Sequence, residues 1–192
     1  MWALVEDNTI VKIINNPKAM VIGDVRHSRN IFSFRWTNEE REAIGLYEIV
    51  IDNSNKRDES YYTNTNQSFD FADGAVTASF GSPTAKALDD VTDEEGRVTS
   101  GLKTQHKERI KQQASGLLEP TDWYNHKALD DETFTIPANI KTYRANIRTA
   151  SNDMEVLIDA CGTVDELAAL YEYTEQEDGS QTRPLGEFPE AV

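Results

Sequence analysis

Residues 97–118 read RVTSGLKTQHKERIKQQASGLL, and this stretch decides the fold class. Leu102, His106, Ile110, Ala114 and Leu117 recur at intervals of four, four, four and three, which lays them on one face of an α-helix. Lys103, Lys107, Arg109 and Lys111 fall off that stripe. The stretch holds five bases and one acid, Glu108, in a chain whose 19 bases and 34 acids leave a net charge of −15. Pro120 ends it, because proline cannot donate the next helical hydrogen bond.

Upstream, residues 1–82 have a different texture. Trp2 to Val5 and Thr9 to Ile14 are β-prone runs separated by Glu6-Asp7-Asn8, which has turn chemistry and predicts a hairpin. Met20 to Ile22 and Ile31 to Phe34 are short apolar runs that would add strands. Thr37-Asn38-Glu39-Glu40 has capping-box spacing, so a short helix is expected from Asn38 to Ile44, closed by Gly45. Leu46 to Ile51 reads as a strand and Asp52 to Ser60 as a loop. Phe69 to Ala72 and Ala75 to Phe80 flank Asp73-Gly74, a hairpin turn. Residues 83–96 hold five acids in seven positions, Asp89 to Glu95, and read as a linker.

Downstream, Pro137 suits the start of a helix, and Ile140, Tyr143, Arg144 and Ile147 give its apolar face. Asn152-Asp153 would open a further helix ending at Cys161-Gly162. Thr163-Val164-Asp165-Glu166 is a second capping box, for a helix from Val164 to Tyr173. Residues 174–192 lack periodicity and read as an acidic tail. The expectation is an α+β chain: an N-terminal antiparallel β domain with one short helix (1–82), an acidic linker (83–96), a helical module (97–173) and the tail. From Ala150 onward there are eleven acids and one base, so the basic helix and this acidic part either pack together, meet partners of opposite sign, or are solvated faces.

Composition narrows the function. So acidic a chain repels phosphate backbones, which argues against nucleic acid as a partner. No apolar run approaches the length that spans a membrane, and the first residues lack the basic and apolar regions of a signal peptide, so a cytosol-made chain is expected. The one cysteine, Cys161, rules out an internal disulfide framework. It reads as a small buried residue rather than a nucleophile. His27, His106 and His126 are far apart. His126 has acids nearby but no second ligand at metal-site spacing, and reads as an exposed loop residue. Phosphate-loop, nucleophile-elbow and zinc-protease motifs are missing, so neither an enzyme nor a cofactor is expected.

One segment is more specific. Residues 117–123 read LLEPTDW at the end of the basic helix. After an irregular stretch come Ile136-Pro137 and then Tyr143-Arg144-Ala145-Asn146-Ile147-Arg148. This order resembles the C-terminal module of bacteriophage tail fibre assembly and tail assembly chaperone proteins, over roughly residues 103–150. The chain departs from the short family form beyond Ala150. The resemblance implies a viral, non-enzymatic role in which the partner is the tail fibre protein, bound often near its C-terminal tip and helped to trimerise. The place implied is the host cytoplasm during assembly, or the virion tail if the protein is retained there. The alternative is a structural tail component, an adaptor or fibre-tip subunit whose β domain binds neighbours or glycans. Self-association is a further option.

Within that resemblance, Leu102, His106, Ile110 and Leu117 would form a partner-binding stripe, with Trp123 as an aromatic anchor. Tyr143, Arg144 and Arg148 would supply polar rim contacts. The competing assignment, the module's own core, is the stronger for Leu118, Trp123 and Ile147. Asp122 has the chemistry to cap the following turn. In the β region Trp2, Phe34 and Trp36 are core or interface. Tyr61 and Tyr62, amid Asn and Thr, belong to a sugar-binding loop or to an ordinary surface loop.

Overall fold

The computed structural model describes residues 1–191. The fold is α+β, and the chain divides into two units, one of residues Met1–Thr84 and one from Ala85 onward.

The first unit begins with the hairpin of β1 (Trp2–Glu6) and β2 (Thr9–Ile14). Asp7 and Asn8 take φ of 49° and 59°, the double left-handed turn that matches strand twist. A second hairpin joins β3 (Met20–Ile22) to β4 (Val25–His27). Arg29–Phe32 then forms a 3-10 turn where a strand was expected, because the Ser28 hydroxyl accepts the Asn30 amide and starts a helical turn. The Thr37 capping box is present and opens α1 (Asn38–Glu42). β5 (Leu46–Asp52), β6 (Tyr62–Thr63), β7 (Gln67–Ala72) and β8 (Ala75–Phe80) follow, and β9 (Thr84–Ala85) stands at the division between the units.

The main sheet has the order β2-β1-β5-β8-β7 and is mixed rather than wholly antiparallel. β5 and β8 run parallel, with Ile49 beside Val76. Burial explains the correction. β8 buries Val76 and Ala78 completely, so it takes the inner position. β7 alternates Ser68 and Asp70 outward, so it suits the edge. The sheet curls until β2 and β7 approach. Its inner face packs Ala3, Val5, Ile49, Val76 and Ala78. The other face is covered around Ile14, Ile31 and Leu46, with Trp2, Phe32 and Trp36 against them.

In the second unit the expected linker is folded structure. β10 (Val91–Thr92) and β11 (Val98–Thr99) pair as a hairpin. The Asp90 carboxylate accepts the Gly101 amide at 2.8 Å, and the Leu102 and Lys103 amides donate to the Ala87 and Leu88 carbonyls. These bonds satisfy donors at the start of α2 (Leu102–Leu118), which has no side-chain cap of its own. A short 3-10 turn, Glu119–Thr121, leads into α3 (Asp122–Asp130), a helix where sequence periodicity showed only irregular chain. His126 lies on it, exposed. α4 (Ala138–Ala160) is one unbroken helix, with no new start at Asn152. Ser151, Met154 and Ile158 extend the buried stripe of Ile140, Tyr143, Arg144 and Ile147, so the packing face never lapses. The second capping box opens α5 (Val164–Ala169).

Nor is the C-terminal stretch a loose tail. β12 (Thr174–Glu175) pairs with β13 (Gln181–Thr182), Leu185 is buried, and its amide donates to the Leu170 carbonyl. Arg183 stacks over Tyr171 and Tyr173 and pairs with Glu187.

Gly45 tests the closure of α1. Its φ is +77°, and a Cβ there would lie 2.4 Å from the Val5 carbonyl oxygen, whose own amide donates to the Gly45 carbonyl. Gly45→Ala is expected to cost about 2 kcal/mol or more, as strain and a displaced β1. A lower urea midpoint in tryptophan fluorescence of a Trp123→Phe background, where the signal comes from Trp2 and Trp36, would register it.

Candidate functional site

α2 and α4 pack antiparallel. Lys107 meets Asp159 at 2.7 Å and Lys111 meets Glu155 at 3.1 Å, so partners descend α4 as they ascend α2. The basic helix and the acidic part of the chain therefore lie against each other. Lys107 holds its proton above the ordinary lysine range, chiefly through the Asp159 hydrogen bond.

Five of the eight expected docking residues are interior: Leu102, His106, Ile110, Tyr143 and Arg144. Tyr143 and Arg144 tie α4 to the end of α2, His106 meets Tyr171, and the stripe packs within the unit rather than on a partner. Leu117 is half-buried and packs with Leu118 and Phe188 on Ala114, Tyr143 and Ile147. Only Trp123 and Arg148 are exposed. For Trp123 this corrects the core assignment, which holds for Ile147.

The two motif halves meet at Arg144. Its Nη1 donates to the Leu118 carbonyl at 2.9 Å and to the Thr121 hydroxyl at 2.5 Å, and its Nη2 donates to the Asp122 carboxylate at 2.7 Å. The Tyr143 hydroxyl donates to the Leu117 carbonyl at 3.3 Å. Asp122 thus serves Arg144 rather than capping the next turn. Arg148 donates to the Arg144 carbonyl and otherwise faces outward.

This corner aims α3. Trp123 is 50% exposed and Leu129 81% exposed. Trp123 stacks on Tyr124 with ring centres 3.8 Å apart, and Phe134 lies 6.3 Å from both rings. Lys127 sits 4.4 Å over the Phe134 ring. The Trp123, Tyr124 and Phe134 rings form one partly exposed aromatic cluster, and Leu129 is exposed further along the same helix. Tyr124, Leu129 and Phe134 escaped sequence reading. Trp123, Tyr124 and Leu129 are spaced by one and five residues, which shows no helical period, and Phe134 lies beyond the end of α3.

No family model, curated protein or solved structure matches this chain.

Other candidate chemistry is spent on structure. The Cys161 thiol is buried, donates to the Leu157 carbonyl, and is pushed up by burial and by Glu166. Among the described residues no three metal-ligating side chains converge, and no helix is long and apolar enough to cross a membrane. The His106 Nδ1 lies 2.7 Å from the Tyr171 hydroxyl. Burial, then the Arg109 charge, lowers its basicity below the ordinary 6.5.

Arg144→Met leaves the Leu118 carbonyl, Thr121 hydroxyl and Asp122 carboxylate without their donor, and is expected to destabilise the unit by about 3 kcal/mol in urea unfolding. Arg144→Lys should recover only part, since one ammonium cannot span the fork. His106 takes its proton less readily in the folded chain than when unfolded. Its contribution is present in full above pH 6.5 and is lost as pH falls through the folded value. Melting temperatures from about pH 7.5 to about pH 5.5 should therefore fall less steeply in His106→Gln than in the parent.

Proposed function

We propose that this chain is a bacteriophage tail fibre assembly chaperone that acts without catalysis. It would bind the fibre polypeptide and shield it until trimerisation. The observation that carries the proposal is α3, which leaves Trp123 and Leu129 exposed, with Trp123 stacked on half-buried Tyr124 beside half-buried Phe134, and which starts at the motif residues Thr121, Asp122 and Arg144. Long β-structured fibres expose apolar strands and unpaired edges before their chains associate, and such surfaces aggregate. A rigid aromatic surface covers them at little entropic cost, because its rings are already stacked and its helix is already fixed. The interior stripe residues serve by fixing that surface, with Arg148 exposed on α4.

Co-expression with the tail fibre protein, followed by size-exclusion chromatography, tests this. The parent chain should keep the fibre soluble and trimeric. Trp123→Ala combined with Leu129→Ser should lower the trimer yield at least about fivefold, as loss of an anchor does at an interface core. Both side chains are exposed, so an unchanged melting curve separates lost docking from lost folding. Equal trimerisation without the chain would remove the chaperone reading and favour a structural tail component, which purified virions would contain in stoichiometric amount.

A further inference from the structure

A second contact surface lies in the first unit. From Val25 to Trp36 the chain contains three arginines and no acid, within a protein of net charge −15. The inward side chains of this layer are occupied. His27 meets Trp36 edge-on, Ile31 is buried, and Phe32 packs on Trp2. Outside lie Arg26, Arg29, Phe34 and Arg35, together with Val25, Ser28 and Asn30, and Val21 is exposed opposite Arg26 in the hairpin. Phe34 is 95% exposed. Among the described residues none of these three guanidiniums has an acidic partner.

Isolated surface phenylalanines are ordinary, but this one is held in place. The Trp36 amide donates to the Ser33 carbonyl, closing a turn with Phe34 and Arg35 at its tip. Buried Arg41 pins that turn from below. Its Nε donates to the Ile31 carbonyl at 2.8 Å and its Nη2 to the Ser33 carbonyl at 2.5 Å, while its Nη1 donates to Asn38. A fixed aromatic with an arginine next to it at the tip of a turn has the composition of an interface anchor, and its order beforehand reduces the entropy lost on binding.

We propose that Arg26, Arg29, Phe34 and Arg35 form a docking surface for an acidic protein segment, with Phe34 entering an apolar site on that partner. Charge complementarity selects the occupant. Nucleic acid and anionic bilayers are extended polyanions that meet the field of the whole acidic chain, whereas a short acidic segment meets only the patch, because at physiological salt charges beyond about 8 Å are screened. The inference does not depend on the fibre reading, since it involves none of the same residues.

The test uses the full chain and three labelled twelve-residue peptides in fluorescence anisotropy: Glu alternating with Leu, Glu alternating with Ser, and Lys alternating with Leu. The Glu-Leu peptide should bind best, the Glu-Ser peptide more weakly, and the Lys-Leu peptide not at all. Arg26→Glu with Arg35→Glu should weaken the Glu-Leu peptide at least about tenfold, and Phe34→Ala should reduce it to the level of the Glu-Ser peptide. Binding should fall as salt rises. Binding unchanged by both sets of substitutions, or absent for the Glu-Leu peptide, would overturn the proposal. So would tighter binding to oligo-dT or to phosphatidylserine vesicles, which would assign the patch to a nucleic acid or a membrane. Unchanged circular dichroism of these surface variants keeps either result interpretable.

Discussion

The guanidinium of Arg144 is the interaction on which the helical unit depends. It is buried at the point where α2 ends, the 3-10 turn runs and α3 begins, and it gives each of these one bond. A carbonyl at a helix end needs a donor once it leaves water, and a buried guanidinium needs acceptors. Each supplies what the other lacks. Asp122 is half-exposed, so its ion pair is partly screened, and the bonds to Leu118 and Thr121 carry the burial. The direction of α3, and with it the outward aim of Trp123 and Leu129, follows from this corner.

Arg41 does the same work in the first unit. It too is buried, bonds two backbone carbonyls of an irregular segment, and leaves an aromatic, Phe34, projecting from that segment. Irregular chain cannot satisfy its own carbonyls as helices and strands do, and arginine, with five donors in a planar fork, serves several at once. In both units a buried base is thus the means by which an apolar residue is held outside the core.

The packing of α2 on α4 shows how charge and burial divide their tasks. Lys107–Asp159 and Lys111–Glu155 are at least partly exposed on one side, and pairs of that kind add little stability. The free energy of the contact comes from the stripe of Leu102, Ile110, Ala114, Ile147 and Met154. The ion pairs fit one register and one direction, and they explain why a basic helix exists within so acidic a chain.

Local sequence determined much on its own. Both capping boxes, the Asp7-Asn8 and Asp73-Gly74 turns and the stripe of α2 depend on neighbours within a few residues, so they were legible there. The α+β class follows from those elements. Tertiary structure alone decided the rest, because the deciding partners are distant in sequence. The parallel pairing of β5 with β8, the continuity of α4 past Asn152 and the ordering of residues 83–96 by Asp90 and Gly101 rest on long-range burial and bonds. The candidate site divides the same way. The residues of the stripe were recognisable as one face, but a periodic face reads alike whether it meets a partner or a helix of its own chain. Only the fold placed α4 against that face and left Trp123 and Phe34 in solvent, because exposure is set by what packs from elsewhere in the chain.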